Sequence, residues 1–156
     1  MNPYIISGMT VLDIGCGPGF FTIEIAKMLD KSGKVIAADL QEGMLEKVAR
    51  KIKGTELAER IKIHKCQDDK IGITEKVDFV LAFYMIHEVS DQDRLFDEIK
   101  SILKPEGKVY IIEPKFHVSK KSFETMIQRL ENNGFEIKNR PKVFFSRAVL
   151  LTLKKI

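Results

Sequence analysis

No stretch of this 156-residue chain is apolar and uninterrupted enough to span a bilayer; the longest such run, Val77–Ile86, is far too short. The opening Met1-Asn2-Pro3-Tyr4 has neither a basic n-region nor a long apolar h-region, so no signal peptide is expected. Only two cysteines occur, Cys16 and Cys66, without metal-ligand spacing. That argues against a disulfide framework or a zinc site and for reduced thiols in a cytoplasmic protein. Internal repeats, low-complexity tracts and long linkers are missing as well, and the length suits one domain covering 1–156. Charge is nearly balanced, at a formal +4, with both signs interspersed through most of the chain. The exception is the C-terminal third, where Lys115, Lys120, Lys121, Arg129, Lys138, Arg140, Lys142 and Arg147 outnumber the acids. A solvated basic surface is the simplest reading of that excess.

What is present is a regular alternation of strand and helix patterns. Thr10–Ile14 is a short apolar run, Lys34–Asp39 a second buried strand and Ile61–Cys66 a third; Val77–Phe83 is apolar throughout, as an inner parallel strand should be, and Lys108–Ile112 follows the turn Pro105-Glu106-Gly107. Between them, Phe20–Leu29, with Phe20, Ile23, Ala26 and Lys27 on one stripe, and Glu42–Lys53 read as helices. A third helix starts at an Asp91 cap and runs through Leu103, and a fourth spans Ser122–Asn132 with Ser119 or Ser122 near its cap. The strands Phe135–Phe145 and Ala148–Lys154 lie too close in sequence for a parallel crossover, so they form an antiparallel hairpin. The expected fold is α/β, five βα units and a hairpin ending: a doubly wound, mostly parallel seven-stranded sheet.

The most informative stretch is Val11-Leu12-Asp13-Ile14-Gly15-Cys16-Gly17-Pro18-Gly19. Glycines let the backbone turn tightly and let a ligand approach it without meeting a Cβ. At the end of strand one in a doubly wound sheet, such a loop binds nucleotide-like ligands. About twenty residues past Gly19 the second strand ends in Asp39, where a carboxylate can take both hydroxyls of a ribose. A dinucleotide would need a third small residue where Phe20 and Phe21 stand, and it would meet a repelling carboxylate at Asp13. Asp13 suits instead a ligand with ammonium and sulfonium charges, or is a buried acid satisfied by the loop itself.

Val11–Gly19 resembles motif I of class I S-adenosylmethionine-dependent methyltransferases. Asp39, the stretch Val77–Phe83, His87 and Ile102–Lys108 resemble the later signatures of that family, closest to its ubiquinone/menaquinone-biosynthesis-like small-molecule subgroup. The resemblance implies a Rossmann-like methyltransferase fold with S-adenosylmethionine as cofactor and S-adenosylhomocysteine as product. It implies that Gly15, Cys16, Gly17 and Gly19 lie against the methionine and ribose, that Asp13 supports the amino-acid end, and that Asp39 holds the ribose. Leu40 would pack on adenine, Gln67 or Asp68 would receive the adenine amino group, and Phe83 would face the ligand.

Methyl transfer from a sulfonium needs mainly alignment of acceptor and methyl group, so the absence of a visible catalytic triad is no obstacle. A base is needed only where the acceptor loses a proton. The candidates beside the expected methyl group are Tyr84, His87, Glu88, Glu113 and His117, with His87 foremost because imidazoles accept protons near neutral pH. His64, His87 and His117 lack zinc-motif spacing, and no metal is expected. A small-molecule acceptor leads, with RNA or protein second and no membrane partner. Few residues precede motif I, so the site is expected to be open, covered by a second subunit, or suited to a large acceptor. A nicotinamide-dependent oxidoreductase lacks its third glycine here, and a non-catalytic binding module would be marked by a damaged motif I, which this chain does not show.

Overall fold

A computed structural model describes residues 2–156. Seven strands, β1 (Thr10–Ile14), β2 (Lys34–Asp39), β3 (Ile61–Lys65), β4 (Val77–Phe83), β5 (Leu103–Pro114), β6 (Phe135–Asn139) and β7 (Ser146–Leu153), form one sheet in the order β3-β2-β1-β4-β5-β7-β6. The first five are parallel, and β7 runs antiparallel between β5 and β6. Four helices cover it: α1 (Phe20–Met28), α2 (Glu42–Ile52), α3 (Gln92–Ile102) and α4 (Lys120–Asn132).

Both faces of the inner strands are buried, and the strand period of two sends neighbouring residues to different cores. Leu12, Ile36, Val80 and Ile111 pack with Phe96 and Ile99 of α3 and Phe123 and Ile127 of α4. Val11, Val35, Ala37 and Leu81 pack on the other face with Ile25 of α1 and Val48 of α2. The chain therefore leaves β1 toward β2 on one face and returns through β4 to the other side of β1. Two connections diverging from adjacent strands leave a crevice at the carboxyl ends of β1 and β4.

Several boundaries differ from the sequence reading. No helix joins β3 to β4, so the count of five βα units is one too many. That link is instead pinned by Glu98 of α3, whose carboxylate accepts from the amides of Ile71 (2.9 and 3.1 Å) and Gly72 (3.3 Å). Strand β5 begins at Leu103, because Leu103 pairs with Val77 before Pro105-Glu106-Gly107 bulges out and Lys108 resumes pairing at Phe79. Strand β6 stops at Asn139, and Arg140–Phe145 is a loop around Pro141, whose ring nitrogen has no hydrogen for a sheet ladder. On α1 the buried face is Thr22, Ile25 and Ala26, whereas Phe20 is largely exposed. The expected caps hold: Asp91 accepts from the Arg94 amide and Ser119 from the Ser122 amide.

Candidate active site

The glycine loop is built by two constraints. At its start the amides of Gly15 and Cys16 both donate to the carbonyl of Ala38, at 2.8 and 3.0 Å, folding the chain tightly over β2. Further on, Asp39 Oδ2 accepts from the Gly17 amide at 2.9 Å while Oδ1 accepts from the Gln41 amide at 2.8 Å. One carboxylate thus clamps the loop after β1 to the loop after β2. Gly15, Gly17 and Gly19 all have positive φ, at 68°, 55° and 90°. Their surroundings differ: a Cβ on Gly15 would sit 2.9 Å from the Met85 Cβ, and one on Gly19 2.9 Å from Val48 Cγ2. A Cβ on Gly17 would meet nothing within 4 Å.

Beneath this loop, at the crevice between β1 and β4, lies a cavity of about 560 Å3. That volume suits a ligand of nucleoside size. Of the residues expected to bind a cofactor, Gly15, Gly17, Asp39, Leu40, Gln67 and Asp68 line it. Gln67 and Asp68 both reach the wall, because a turn in which the amides and carbonyls of Gln67 and Lys70 bond each other presents the whole segment. The acids of the wall are Asp39, Asp68, Asp69, Glu88, Asp91 and Glu98, against the two bases Lys70 and Arg94. The cavity therefore favours a cationic ligand and repels a pyrophosphate. Sequence reasoning missed the contribution of α3: Asp91, Arg94, Leu95 and Glu98 follow the i, i+3, i+4, i+7 spacing of one helix face, and all four line the wall. That spacing is the signal the sequence carries for this face.

Asp13, Cys16, Gly19 and Phe83 do not line the cavity. Asp13 is buried, only 2% exposed, and accepts from Thr22 Oγ1 at 2.6 Å, so it braces the loop from below against α1. Burial pushes its carboxyl up to about 7, with the Thr22 bond opposing and the Asp39 charge adding to the rise. Cys16 packs into the α1–α2 core, where burial raises its thiol to about 12. Gly19 serves the approach of α1 to α2 described above. Phe83 stacks on Tyr84 (ring centroids 4.0 Å apart) and against Phe21 (4.5 Å).

Just past the end of β4, Tyr84 lines the cavity with a left-handed backbone, φ 55°. It is held there by its amide on the Ile112 carbonyl (2.8 Å) and by a 2.5 Å bond between its hydroxyl and Ser146 Oγ. Such a conformation costs a non-glycine residue about 1–3 kcal/mol and persists only where surrounding contacts determine it. His87 and Glu113, far apart in sequence, meet: His87 Nδ1 and Glu113 Oε2 are 2.5 Å apart, and Glu113 Oε1 accepts from the Ile86 amide at 2.9 Å. Burial raises the Glu113 carboxyl above its usual range, with the His87 bond pulling it back down. The other imidazole nitrogen, Nε2, faces Glu88 Oε1 at 3.9 Å, and the ring stacks parallel to His117 at 5.9 Å. His87 thus stands one residue behind the wall, where Glu88 lines it. His64 is apart from this group, on the Ile71 carbonyl at 2.6 Å.

Residues 5–147 match the model of a family described as "Methyltransferase domain". The chain is 35% identical over 108 residues to a demethylmenaquinone methyltransferase of Lactobacillus johnsonii, covering 69% of this chain and 44% of that protein. It is 34% identical over 125 residues to the protein of the same name from Lactococcus lactis, covering 76% and 48%. The chain therefore spans less than half the length of these relatives. Among solved structures, that of a SAM dependent methyltransferase from Aquifex aeolicus superimposes with a TM-score of 0.84 at 28% identity, covering 96% of this chain and 84% of that one.

Proposed function

The chain belongs to the methyltransferase-domain family, and from that premise we propose that it transfers a methyl group from S-adenosylmethionine to a small-molecule acceptor by in-line displacement. The observation that carries this reading is the acid-lined cavity under a glycine loop clamped by Asp39. The donor set suits the proposed cofactor. Each Asp39 oxygen uses one lone pair on a backbone amide, at Gly17 and Gln41, leaving acceptor capacity for two ribose hydroxyls. The excess of carboxylates suits the ammonium and sulfonium charges, and Gly17 leaves the backbone open to close approach.

In this reading Asp39 holds the ribose, Leu40 packs on adenine, and Gln67 or Asp68 accepts from the adenine amino group. Gly15 and Gly17 bring backbone against the methionine and ribose. Asp13, Cys16 and Gly19 act through the loop's shape, with Asp13 supporting the amino-acid end from below through its bond to Thr22. When bound, S-adenosylmethionine supplies a methyl group already activated by its sulfonium and leaves as S-adenosylhomocysteine. Tyr84 forms the wall beside the acceptor, its strained backbone aiming the ring while Ser146 fixes the hydroxyl. Glu113 takes the Nδ1 proton of His87 as a hydrogen bond, so that Nε2 is the nitrogen able to accept a proton from an acceptor that loses one. The names of the two demethylmenaquinone methyltransferase relatives favour a quinone-like small molecule. The reaction is placed in the cytoplasm, where Cys16 and Cys66 stay reduced.

The test is calorimetric titration with S-adenosylmethionine, S-adenosylhomocysteine and NADH in parallel. Micromolar binding of the first two without NADH supports the reading. Binding of NADH, or of none of the three, overturns it.

A further inference from the structure

Away from the large cavity, three phenylalanines stand in water. Phe116, in the turn after β5, is 78% exposed; Phe144 and Phe145, at the entry to β7, are 82% and 53% exposed. They are one feature, since the Phe144 and Phe145 ring centroids lie 4.0 Å apart and those of Phe116 and Phe145 lie 5.7 Å apart. The two loops are tied by the Lys115 amide on the Phe145 carbonyl at 3.0 Å, and Phe145 itself is held at φ 53°. A compact apolar knob exposed in this way marks an interaction surface.

Beside the knob lies a second cavity, about 380 Å3, lined by Lys115, Lys120, Arg140, Lys142 and Arg147, with Glu124 its one acid among the described lining residues. That acid is already committed to Arg140, in a two-pronged pair at 2.5 and 3.0 Å. The basic excess of the C-terminal third is therefore concentrated at one place, next to aromatic rings.

We infer that this face docks on an anionic phospholipid surface, with the Phe116–Phe144–Phe145 knob in the headgroup–acyl boundary and the surrounding cations on lipid phosphates. Aromatic residues rimmed by lysine and arginine are the composition such interfacial contacts use. A second copy of the chain fits less well, because a two-fold pairing of this face would set each basic cluster against its own image. Nucleic acid also fits less well: the rings tilt onto one another at 52° and 41° instead of offering separate stacking platforms. The expectation of no membrane partner rested on the lack of a spanning run, and none of the described helices is long and apolar enough to cross a bilayer; peripheral docking needs no such run. The site also has a bearing on access. Ser146, which lines the basic cavity, bonds Tyr84, which lines the large one, so docking would place the acceptor side next to the lipid.

Co-sedimentation with vesicles tests this, without donor or acceptor, so its outcome is separate from that of the donor titration. Vesicles of phosphatidylcholine alone are compared with vesicles containing one-third phosphatidylglycerol. Binding is expected to the anionic vesicles, weakened by salt and reduced at least about tenfold by Lys115→Glu with Lys142→Glu. Phe116→Ser with Phe144→Ser should lower it to background, while circular dichroism and the thermal transition of both variants match the parent, since these side chains are exposed. Equal binding to both vesicle types, binding to neither, or unchanged binding by either double variant overturns the proposal. So does binding to a single-stranded oligonucleotide, or a dimer seen by light scattering, that the phenylalanine substitutions abolish while vesicles are ignored.

Discussion

Replacing Asp39 with alanine separates the two tasks that the structure gives to one carboxylate. In the folded chain it accepts from Gly17 at 2.9 Å and from Gln41 at 2.8 Å, and it is only 9% exposed. Hydrogen bonds to a charged group contribute about 1.5–3 kcal/mol each, and the lower end applies because the loop can recover water once the side chain is gone, so Asp39→Ala should lose about 3 kcal/mol of stability. The ribose contacts form a second loss, about 1–3 kcal/mol of binding, or roughly five- to 150-fold in Kd. Asp39→Asn refines the comparison. Its one carbonyl oxygen can serve only one of the two amides, and its NH2 group opposes the other donor, so the clamp is half broken. Urea unfolding reads the first loss, and calorimetry with S-adenosylhomocysteine, at a temperature where each variant is folded, reads the second. Lower stability with unchanged affinity would make Asp39 a loop clamp alone and remove it from the site. Unchanged stability would refute the clamp.

Three further predictions come from buried groups and the loop. Asp13 has its folded-state carboxyl raised from 3.8 to about 7 by burial. Below pH 4 both folded and unfolded states are protonated; between pH 4 and 7 only the unfolded state ionises, so stability falls as pH rises and the loss is complete above 7. Asp13→Asn should flatten that slope, gaining at most about 4 kcal/mol relative to the parent above neutrality, and parallel urea midpoints at pH 5 and pH 8 would sink the argument. Gly19→Ala, with φ 90° and a Cβ placed 2.9 Å from Val48, should destabilise the fold by about 2–3 kcal/mol, and Gly17→Ala, with open space around it, by about 1. Only the latter puts its methyl at the cavity wall, so the Gly17 variant should lose proportionally more donor affinity. His87→Ala would remove the imidazole partner of the buried Glu113, leaving it backbone amides alone, and should destabilise by about 3 kcal/mol, most at high pH. Adding Glu113→Gln should restore part of the loss; strictly additive effects in that double-mutant cycle would deny the coupling.

The periodicities reached deep into this fold. Parallel strands buried on both faces had to be short apolar runs, and β1, β2 and β4 have the bounds that their sequences indicate. The capping of α3 by Asp91 was likewise legible, and that of α4 was narrowed to Ser119 or Ser122, because a cap depends on a few adjacent residues. The glycine loop and Asp39 could be linked in advance because a βαβ unit brings its two loops together at a nearly constant sequence separation.

Where the reading failed, the deciding contact lay far along the chain. Leu103 belongs to β5 only because Val77 stands beside it, and the β3–β4 link holds its shape without a helix because Glu98 reaches its amides. The exposed face of α1 could not be separated from its buried face until the position of α2 was known, since Phe20 and Ile25 are equally apolar. The pairing of His87 with Glu113, the bracing of Asp13 by Thr22 and the gathering of C-terminal cations beside three phenylalanines are all consequences of packing. Local sequence determines which residues can form a strand, a cap or a tight turn, because those choices are settled by neighbours a few bonds away. Which titratable groups face one another, and which side chains stay in water, is set by the order in which the strands enter the sheet.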